Sequence, residues 1–364
     1  MSLSYKKSGV NYDLLDPVKR LAQVAGLKTA NNILGSDFRE ISTSRGETAY
    51  VLEAAECYHA FVQEGLGTKN LVADEMRKIT GKTYYETIAQ DTVAMIINDL
   101  ITVGARPLSI LAYWAVGNSG WFADKKRNND LVNGWKKACD LSGATWGGGE
   151  TPTLKDVICQ TAIDLAGAAF GIITPKSRLI LGDKLSAGDA IILFESSGIH
   201  ANGLSLARKI ASDMPKGYAT KLPSGNMYGE ELLLPTIIYS KLINDLLDRG
   251  IDIHYMVNIT GHGWRKLMRA KKAFTYTIEK IPPVHELFSF IQKYSGLSDK
   301  SMFSTFNMGA GFAVYVPQDE ADEVLEIAKV NKIKAWTSGR VDKGPKQVII
   351  KSKNIIYNEE DLKI

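Results

Sequence analysis

Six consecutive residues, Glu64-Gly65-Leu66-Gly67-Thr68-Lys69, combine the side chains that a phosphate-binding loop requires. They follow an apolar run at 58–62, which predicts that they lie at the exit of a strand. Glycine lets a backbone turn sharply and come close to a ligand. Turn N–H groups with a nearby ammonium suit phosphate, and an adjacent carboxylate suits the magnesium that accompanies it. An ordinary connecting loop could have the same composition, so other residues must decide between a phosphate-binding loop and a connecting loop.

A predicted helix over 86–103 carries polar side chains among apolar ones. Seven helical residues turn through almost two full circles, so Asp91 and Asn98 project from nearly the same face, and Asp99 lies about a quarter-turn away. Oxygen ligands in such a row suit Mg²⁺ and the phosphates it bridges. A solvent-facing stripe and a buried capping network are the two other interpretations.

Two further segments pair glycine with polar side chains. Gly148 and Gly149 precede Glu150 and a threonine, a pattern that a flexible connector explains equally well. Thr260-Gly261-His262-Gly263 opens a predicted helix, whose N-terminus offers N–H groups to an anion. The cations that follow could add positive charge to this anion site, although a solvated basic face is the preferred interpretation; they are Arg265, Lys266, Arg269, Lys271 and Lys272.

His200 and Asn202 lie in a predicted loop between a strand and a helix. Binding groups concentrate in such loops, and histidine can move protons or bind phosphate oxygens near neutral pH. A loop histidine that only makes hydrogen bonds is the alternative. No acidic residue is placed beside the neighbouring serines, so a hydrolase triad has no support. A dinucleotide fingerprint opening a strand–turn–helix unit is also absent from the sequence.

Alternating strands and helices must position these residues, which predicts an α/β (α+β) chain. Its 364 residues favour two domains, and we place the boundary at Pro175, giving units 1–174 and 175–364. The predicted helices are 85–103, 130–141, 204–212, 232–247, 264–269 and 320–330. The predicted strands are 108–116, 161–173, 190–194, 273–278, 311–316 and 347–351.

Composition describes an ordinary soluble protein, with 45% hydrophobic and 23% charged residues. The net charge of +4 does not predict nucleic-acid binding. The three cysteines form no Cys-x-x-Cys pair, so we expect neither a disulfide framework nor a structural zinc site. No apolar run approaches the ~20 residues that span a bilayer. We therefore expect a cytoplasmic protein without a membrane segment.

Taken in order, these segments resemble the phosphoribosylformylglycinamidine cyclo-ligase (aminoimidazole ribonucleotide synthetase) family. The opening Tyr5-Lys6-Lys7-Ser8-Gly9-Val10 is similar to its Tyr-Lys-x-x-Gly-Val, and the loop at 64–69 to its Asp-Gly-Val-Gly-Thr-Lys. The stretch 91–100 follows its Asp-x-Val-Ala-Met-x-x-Asn-Asp-Leu helix. Further matches are 148–151, 164–167, 196–208, 233–239, 260–261 and 305–309, so the resemblance is collinear over nearly the whole chain.

The resemblance implies two mixed α/β domains and a homodimer whose N-terminal sheets join into a central barrel, with ATP near the subunit interface. It implies conversion of formylglycinamidine ribonucleotide and ATP into aminoimidazole ribonucleotide, ADP and phosphate. The implied magnesium ligands are Glu64 and Asp91, with Asp99 and Glu150 as further candidates. Implied ATP-binding residues are Gly65, Gly67, Thr68, Lys69, Asn98, Gly148 and Gly149; Thr260 and Gly261 would hold the ribose phosphate. The implied catalytic residues are Lys69, His200 and Asn202.

The sequence departs from the family pattern at three places. Glu64 replaces an aspartate, His262 replaces a glycine, and 37–47 replaces a glycine-rich segment. A thiamine-phosphate kinase-like or selenophosphate synthetase-like enzyme is one alternative. The latter needs a reactive cysteine near its N-terminus, whereas the first cysteine here is Cys57. A nucleotide-binding subunit without catalysis is the other alternative.

Overall fold

The protein was analysed as a computed structural model that describes residues 12–362. The predicted opening motif at 5–10 lies outside these residues. Within them, the chain forms two mixed α/β halves, each built on one sheet, which confirms the predicted fold class. The predicted boundary between residues 174 and 175 falls in the connection between the two sheets.

The first half contains a sheet with the strand order β1-β2-β3-β6-β4-β5. Its strands are β1 (Arg39–Glu40), β2 (Tyr50–Glu53), β3 (Tyr58–Gly65), β4 (Arg106–Val116), β5 (Thr145–Glu150) and β6 (Ile163–Ile173). Its helices are α1 (Tyr12–Leu27), α2 (Lys69–Thr80), α3 (Tyr85–Leu100) and α4 (Lys125–Ser142). In β6 every second residue is buried, because alternate side chains point to opposite faces of a sheet. The buried face packs against α3, which is apolar on most sides.

The second half contains a sheet with the order β13-β12-β9-β11-β7-β10-β8. Its strands are β7 (Ala190–Glu195), β8 (Tyr255–Asn258), β9 (Thr275–Ile278), β10 (Ala310–Val316), β11 (Ala335–Asp342), β12 (Gln347–Ile350) and β13 (Ile355–Asn358). The helices are α5 (Leu204–Asp213), α6 (Tyr228–Leu232), α7 (Ser240–Asp248), α8 (Glu286–Ser295), α9 (Asp299–Thr305), α10 (Ala321–Val330) and α11 (Glu359–Leu362). Strand β10, which lies between β7 and the edge strand β8, is buried along its whole length.

One long helix predicted over 232–247 is wrong. Helix α6 ends at Leu232 and α7 begins at Ser240, and residues 233–239 between them are irregular. Pro235 explains the break, because proline lacks an N–H donor and drives the preceding residue away from helical geometry. The irregular segment lies against α3, where it accepts and donates hydrogen bonds that a helix would have used internally.

Three smaller differences affect the candidate site. Residues 145–150, interpreted as a loop, form the edge strand β5. Glu64 and Gly65 belong to β3, so the turn before α2 is only three residues long. The predicted helix at 264–269 is a 3₁₀-helix, Gly263–Met268.

Candidate functional site

Two adjoining cavities lie where the end of β3, the end of α3 and the loop before the 3₁₀-helix meet. The central cavity, of about 380 Å³, is lined by Glu64, Asp99, Asn202, Thr260, Gly261, His262 and Lys266, among others. The outer cavity, of about 880 Å³, shares Arg20, Gln23, Glu47, Thr48 and Arg269 with it. Volumes in this range suit small-molecule sites.

Glu64 and Asp99 form an acidic pair in the central cavity. Alternation along β3 places Glu64 on the same face as Val62, toward α3, and Asp99 lies near the end of that helix. Asp99 Oδ1 accepts a hydrogen bond of 2.7 Å from Asn258 Nδ2. Burial, followed by the charge of Asp99, raises the pKa of Glu64 to about 7. Two carboxylates that share one cavity in this way favour a cation between them.

Lys266 faces the same cavity, although the basic segment that contains it was predicted to form a solvated face. Its Nζ donates to Thr260 Oγ1 and, at 3.3 Å, to the carbonyl of Asn258. Burial lowers the pKa of Lys266 to about 8, while Asp99 and Glu64 act in the opposite direction. In a 3₁₀-helix residues three apart lie on one face, so the Lys266 and Arg269 spacing was the available signal. Both line the cavity.

Lys69 and Asp91 do not face either cavity, in contrast to the predicted phosphate and metal contacts. Lys69 Nζ lies 2.8 Å from Asp91 Oδ1, and neither side chain is exposed. The remaining donors of Lys69 reach the carbonyls of His200 and Leu234, at 2.8 and 2.7 Å. All three N–H groups are therefore occupied, and none is left for a phosphate.

Asn98 belongs to the same buried network. Its Nδ2 donates to the carbonyl of Ile237, and its Oδ1 accepts from the Tyr239 N–H. Thr236 donates from both its N–H and its hydroxyl to Asp91. Of the three interpretations of the polar row on α3, a buried network describes Asp91 and Asn98. Only Asp99 of that row reaches the cavity.

His200 is also buried, although it was predicted to contact the substrate. Only 2% of the residue is exposed, and its Nε2 accepts from the Ser197 N–H at 3.2 Å. Burial, followed by the charge of Lys69, lowers the pKa of His200 to about 3, so the imidazole is neutral. Asn202, two residues further on, does line the central cavity.

Comparison with known families matches both halves of this chain. Residues 46–173 match the model "AIR synthase related protein, N-terminal domain", and residues 186–352 match "AIR synthase related protein, C-terminal domain". The chain belongs to the AIR synthase-related family. A phosphoribosylformylglycinamidine cyclo-ligase of Methanocaldococcus jannaschii is 36% identical over 93% of this chain and 92% of the relative. One from Methanococcus maripaludis (strain DSM 14266) is 33% identical over the same shares.

Solved structures of the family share the fold at low identity. A HypE–HypF complex superposes with a TM-score of 0.61 and 17% identity, covering 91% of this chain and 97% of that one. Hydrogenase maturation protein HypE in complex with ATP gives a TM-score of 0.54 and 16% identity, covering 74% and 78%. At such identities the likeness establishes the AIR synthase-related fold and nothing finer.

The glycine motif at 148–149 lies away from the cavities within one copy of the chain. Gly149 pairs with Ala112, Ala112 with Gly167, and Gly167 with Glu64. Three strand spacings therefore separate Glu64 from Gly149, about 14 Å across the sheet. Gly148, Gly149 and Glu150 are exposed on the edge strand β5.

The turn between β3 and α2 is open to solvent. Gly65 and Gly67 are exposed, Thr68 is half-buried, and none of the three lines either cavity. Gly67 has φ +76°, in the left-handed region that glycine adopts without strain. The Thr68 side chain does not cap α2, so it accepts no hydrogen bond from the first N–H groups of that helix.

The donor set fits a magnesium ion that is shared with a ligand. In the part of the chain that the structure describes, no group of three or more His, Cys, Asp or Glu is arranged to hold a metal. Mg²⁺ usually takes one or two carboxylates together with phosphate oxygens and water. Glu64 and Asp99 meet that requirement, whereas Asp91 is buried against Lys69 and Glu150 is at the edge strand. Over residues 12–362, no helix is long and apolar enough to cross a membrane.

Proposed function

We propose that this protein closes the imidazole ring of purines, converting formylglycinamidine ribonucleotide and ATP into aminoimidazole ribonucleotide, ADP and phosphate. The observation that carries the proposal is the similarity to cyclo-ligases, at 36% identity over 93% of the chain. The HypE–HypF complex and the HypE structure with ATP are only 17% and 16% identical to this chain. The proposal includes a cytoplasmic location.

The proposed chemistry removes a poor leaving group. The γ-phosphoryl group of ATP passes to the formyl oxygen, so ADP leaves and the oxygen becomes part of a phosphate ester. The amidine-side nitrogen then attacks the formyl carbon, the carbon–oxygen bond breaks, and phosphate departs with that oxygen. Loss of a proton gives the aromatic ring. Such a reaction depends on positioning and on charge neutralisation more than on covalent help from the protein.

The residues of the central cavity supply these functions. Thr260 and Gly261 stand beside Lys266 and offer a hydroxyl and a close backbone to a phosphate. Asn202 contributes an amide that can orient the formyl group. Glu64 and Asp99 would hold Mg²⁺, which when bound neutralises charge on the phosphate oxygens. The outer cavity gives room for the remainder of the nucleotide.

The proposal includes a homodimer formed through the outer face of the first sheet. Phe61 and Leu111 are 39% and 49% exposed on that face. Phe61 lies 5.3 Å from the ring of Phe170 on the neighbouring strand, between ring centroids. Exposed apolar side chains on one face of a sheet are a feature that interaction sites share. Pairing two such faces would bring the sheets together as the predicted barrel requires.

Purified protein, ATP, Mg²⁺ and formylglycinamidine ribonucleotide test the proposal directly. We expect stoichiometric aminoimidazole ribonucleotide and ADP, measured by chromatography of the reaction mixture. Thiamine monophosphate serves as the competing phosphate acceptor in a parallel reaction. Phosphorylation of that acceptor without ring closure would show that the protein is a kinase instead. Tight ATP binding without any turnover would show that it is a non-catalytic subunit.

A further inference from the structure

Lys266 is a buried lysine whose hydrogen bonds are incomplete. Only 7% of the residue is exposed, and its ammonium donates to Thr260 Oγ1 and to the carbonyl of Asn258. An ammonium has three N–H donors, so these neutral acceptors use two of them. The residue lines the central cavity, and the third donor is available to a ligand there.

Over residues 12–362, Lys69 is the other buried lysine, and it shows what a complete set of partners looks like. Lys69 has a carboxylate 2.8 Å away and two carbonyl acceptors. Within residues 12–362 no carboxylate oxygen lies within 4.0 Å of Lys266, although Asp99 and Glu64 act on its charge from further away. Buried charges are normally paired, since an unpaired one loses its hydration without compensation. The described residues around Lys266 therefore provide no direct counter-ion for its charge.

The surrounding wall favours an anion as that counter-ion. Thr260 and Gly261 add a hydroxyl and a glycine backbone to the cavity wall, and Arg269, the residue that follows the 3₁₀-helix, lines the same cavity. His262, in the same loop, has φ +71°, a conformation that is uncommon outside glycine and recurs at ligand sites. Glu64 and Asp99 oppose a bare anion, but they favour one that arrives with a divalent cation.

We propose that Lys266 donates its third N–H to a phosphate group in the central cavity and thereby sets the affinity of the site for phosphorylated ligands. The proposal rests on the proposed function only for the identity of those ligands. The phosphate belongs either to the nucleotide or to the ribonucleotide that undergoes ring closure. Both have the same recognition chemistry, and binding measurements separate them.

The test titrates the full-length protein with two probes, ATP with Mg²⁺ and ribose 5-phosphate, by calorimetry. Lys266→Met removes the charge and keeps the chain length, and Lys266→Arg keeps the charge. We expect Lys266→Met to weaken one probe by about tenfold or more, the loss typical of a hydrogen bond to a charged group, while Lys266→Arg retains most of the affinity. The probe that weakens identifies the source of the phosphate. Lys329→Met, in which the lost ammonium is 77% exposed on α10, is the matched control.

A second readout distinguishes ligand binding from a structural role. Because an ammonium repels a metal ion at the nearby carboxylates, Lys266→Met should bind Mg²⁺ alone more tightly while it binds phosphate less tightly. A merely loosened cavity would weaken both. The proposal would be overturned if Lys266→Met left the affinity for both probes unchanged, or if the Met and Arg variants lost affinity equally. It would also be overturned if the unaltered protein bound neither probe.

Folding and turnover are measured separately from binding. If Lys266→Met does not fold, Lys266→Gln provides a second neutral variant, and failure of both while Lys266→Arg folds would assign Lys266 a structural role and overturn the proposal. Ring closure by the unaltered protein is assayed in parallel. Absent turnover together with a Lys266-dependent phosphate affinity would sink the proposed reaction and leave this inference standing.

Discussion

Lys69 and Asp91 form an ion pair of 2.8 Å in which neither side chain touches solvent. Lys69 begins α2 and Asp91 lies in α3, yet both also bond to loops of the second half, at His200, Leu234 and Thr236. Burial lowers the pKa of Lys69 and raises the pKa of Asp91, while their mutual contact opposes both changes. The pair therefore fastens the two halves together beside the cavity and does not enter it.

Lys69→Met should destabilise the protein strongly, because it leaves the Asp91 carboxylate buried without its cation. Removing one partner of a buried pair typically costs about 3–5 kcal/mol. Urea unfolding measures the loss. Lys78→Met is the control, since Lys78 pairs with Glu75 at the surface and such pairs contribute about 0–1 kcal/mol. Equal unfolding midpoints for Lys69→Met and the unaltered protein would show that the pair carries no stability.

Asp99→Asn should raise the Mg²⁺ concentration that half-maximal turnover requires, with little change in stability. Asp99 lines the central cavity and its Oδ1 can still accept from Asn258 through an amide oxygen. Losing one of two carboxylates weakens a cation site that protein ligands only partly complete. A magnesium titration of the activity gives the result.

Asp91→Asn is the comparison for that experiment. Because Asp91 is buried against Lys69, its replacement should lower the urea midpoint and leave the magnesium requirement of the remaining folded enzyme unchanged. If Asp91→Asn raised the magnesium requirement and Asp99→Asn left it unchanged, Asp91 and not Asp99 would be the metal ligand.

Glu64 should make the metal-free protein less stable as pH rises. Its pKa is 4.5 when unfolded and about 7 when folded, mainly because of burial. Below pH 4.5 both states are protonated and the residue has no effect. Between these values the folded state holds the extra proton, so stability falls with increasing pH and the full cost is present above about pH 7.

Glu64→Gln isolates this contribution, since glutamine does not titrate. With a chelator present, its stability should match the unaltered protein near pH 4 and exceed it by about 2 kcal/mol near pH 8, allowing for the partial exposure of the carboxylate. Urea unfolding at several pH values provides the curve. Parallel curves across that range would mean that Glu64 ionises normally in the fold.

Much of the fold follows from local pattern. The strand predicted over 161–173 corresponds to β6 (Ile163–Ile173), and Gly104, at φ +82°, ends the helical stretch that was predicted to stop at residue 103. The break at Pro235 was also visible in the sequence, but the apolar run around it favoured a helix. Besides the proline, the polar side chains of α3 bond to the backbone of 233–239, and the sequence did not reveal these contacts.

The candidate site was harder to predict from the sequence than the fold, because the burial of a side chain depends on tertiary contacts that the spacing of residues in the sequence does not reveal. Asp91 and Asp99 were both predicted as metal ligands on α3, yet 233–239 covers Asp91 and a cavity opens beside Asp99. The same is true of Lys69 and Lys266. The first stood in a motif and proved to be internal, whereas the second stood among surface-like cations and proved to face the cavity.

Leu111→Lys should convert the proposed homodimer into a monomer. Leu111, on β4, is 49% exposed on the outer face of the first sheet. A charge there would be buried without a partner when two such faces meet, and charged residues are depleted from interface cores for that reason. Light scattering after gel filtration should show a fall from about twice the chain mass of 40.0 kDa to the chain mass itself.

Val330→Lys is the matched control, because it places the same charge on an apolar side chain that is 77% exposed at the end of α10, outside the first sheet. Its mass should remain that of the dimer. Loss of the dimer in both variants would indicate general destabilisation, and thermal melting would then show a lowered midpoint in both. An unaltered protein that is already monomeric at the concentrations used for the assay would contradict the dimer itself.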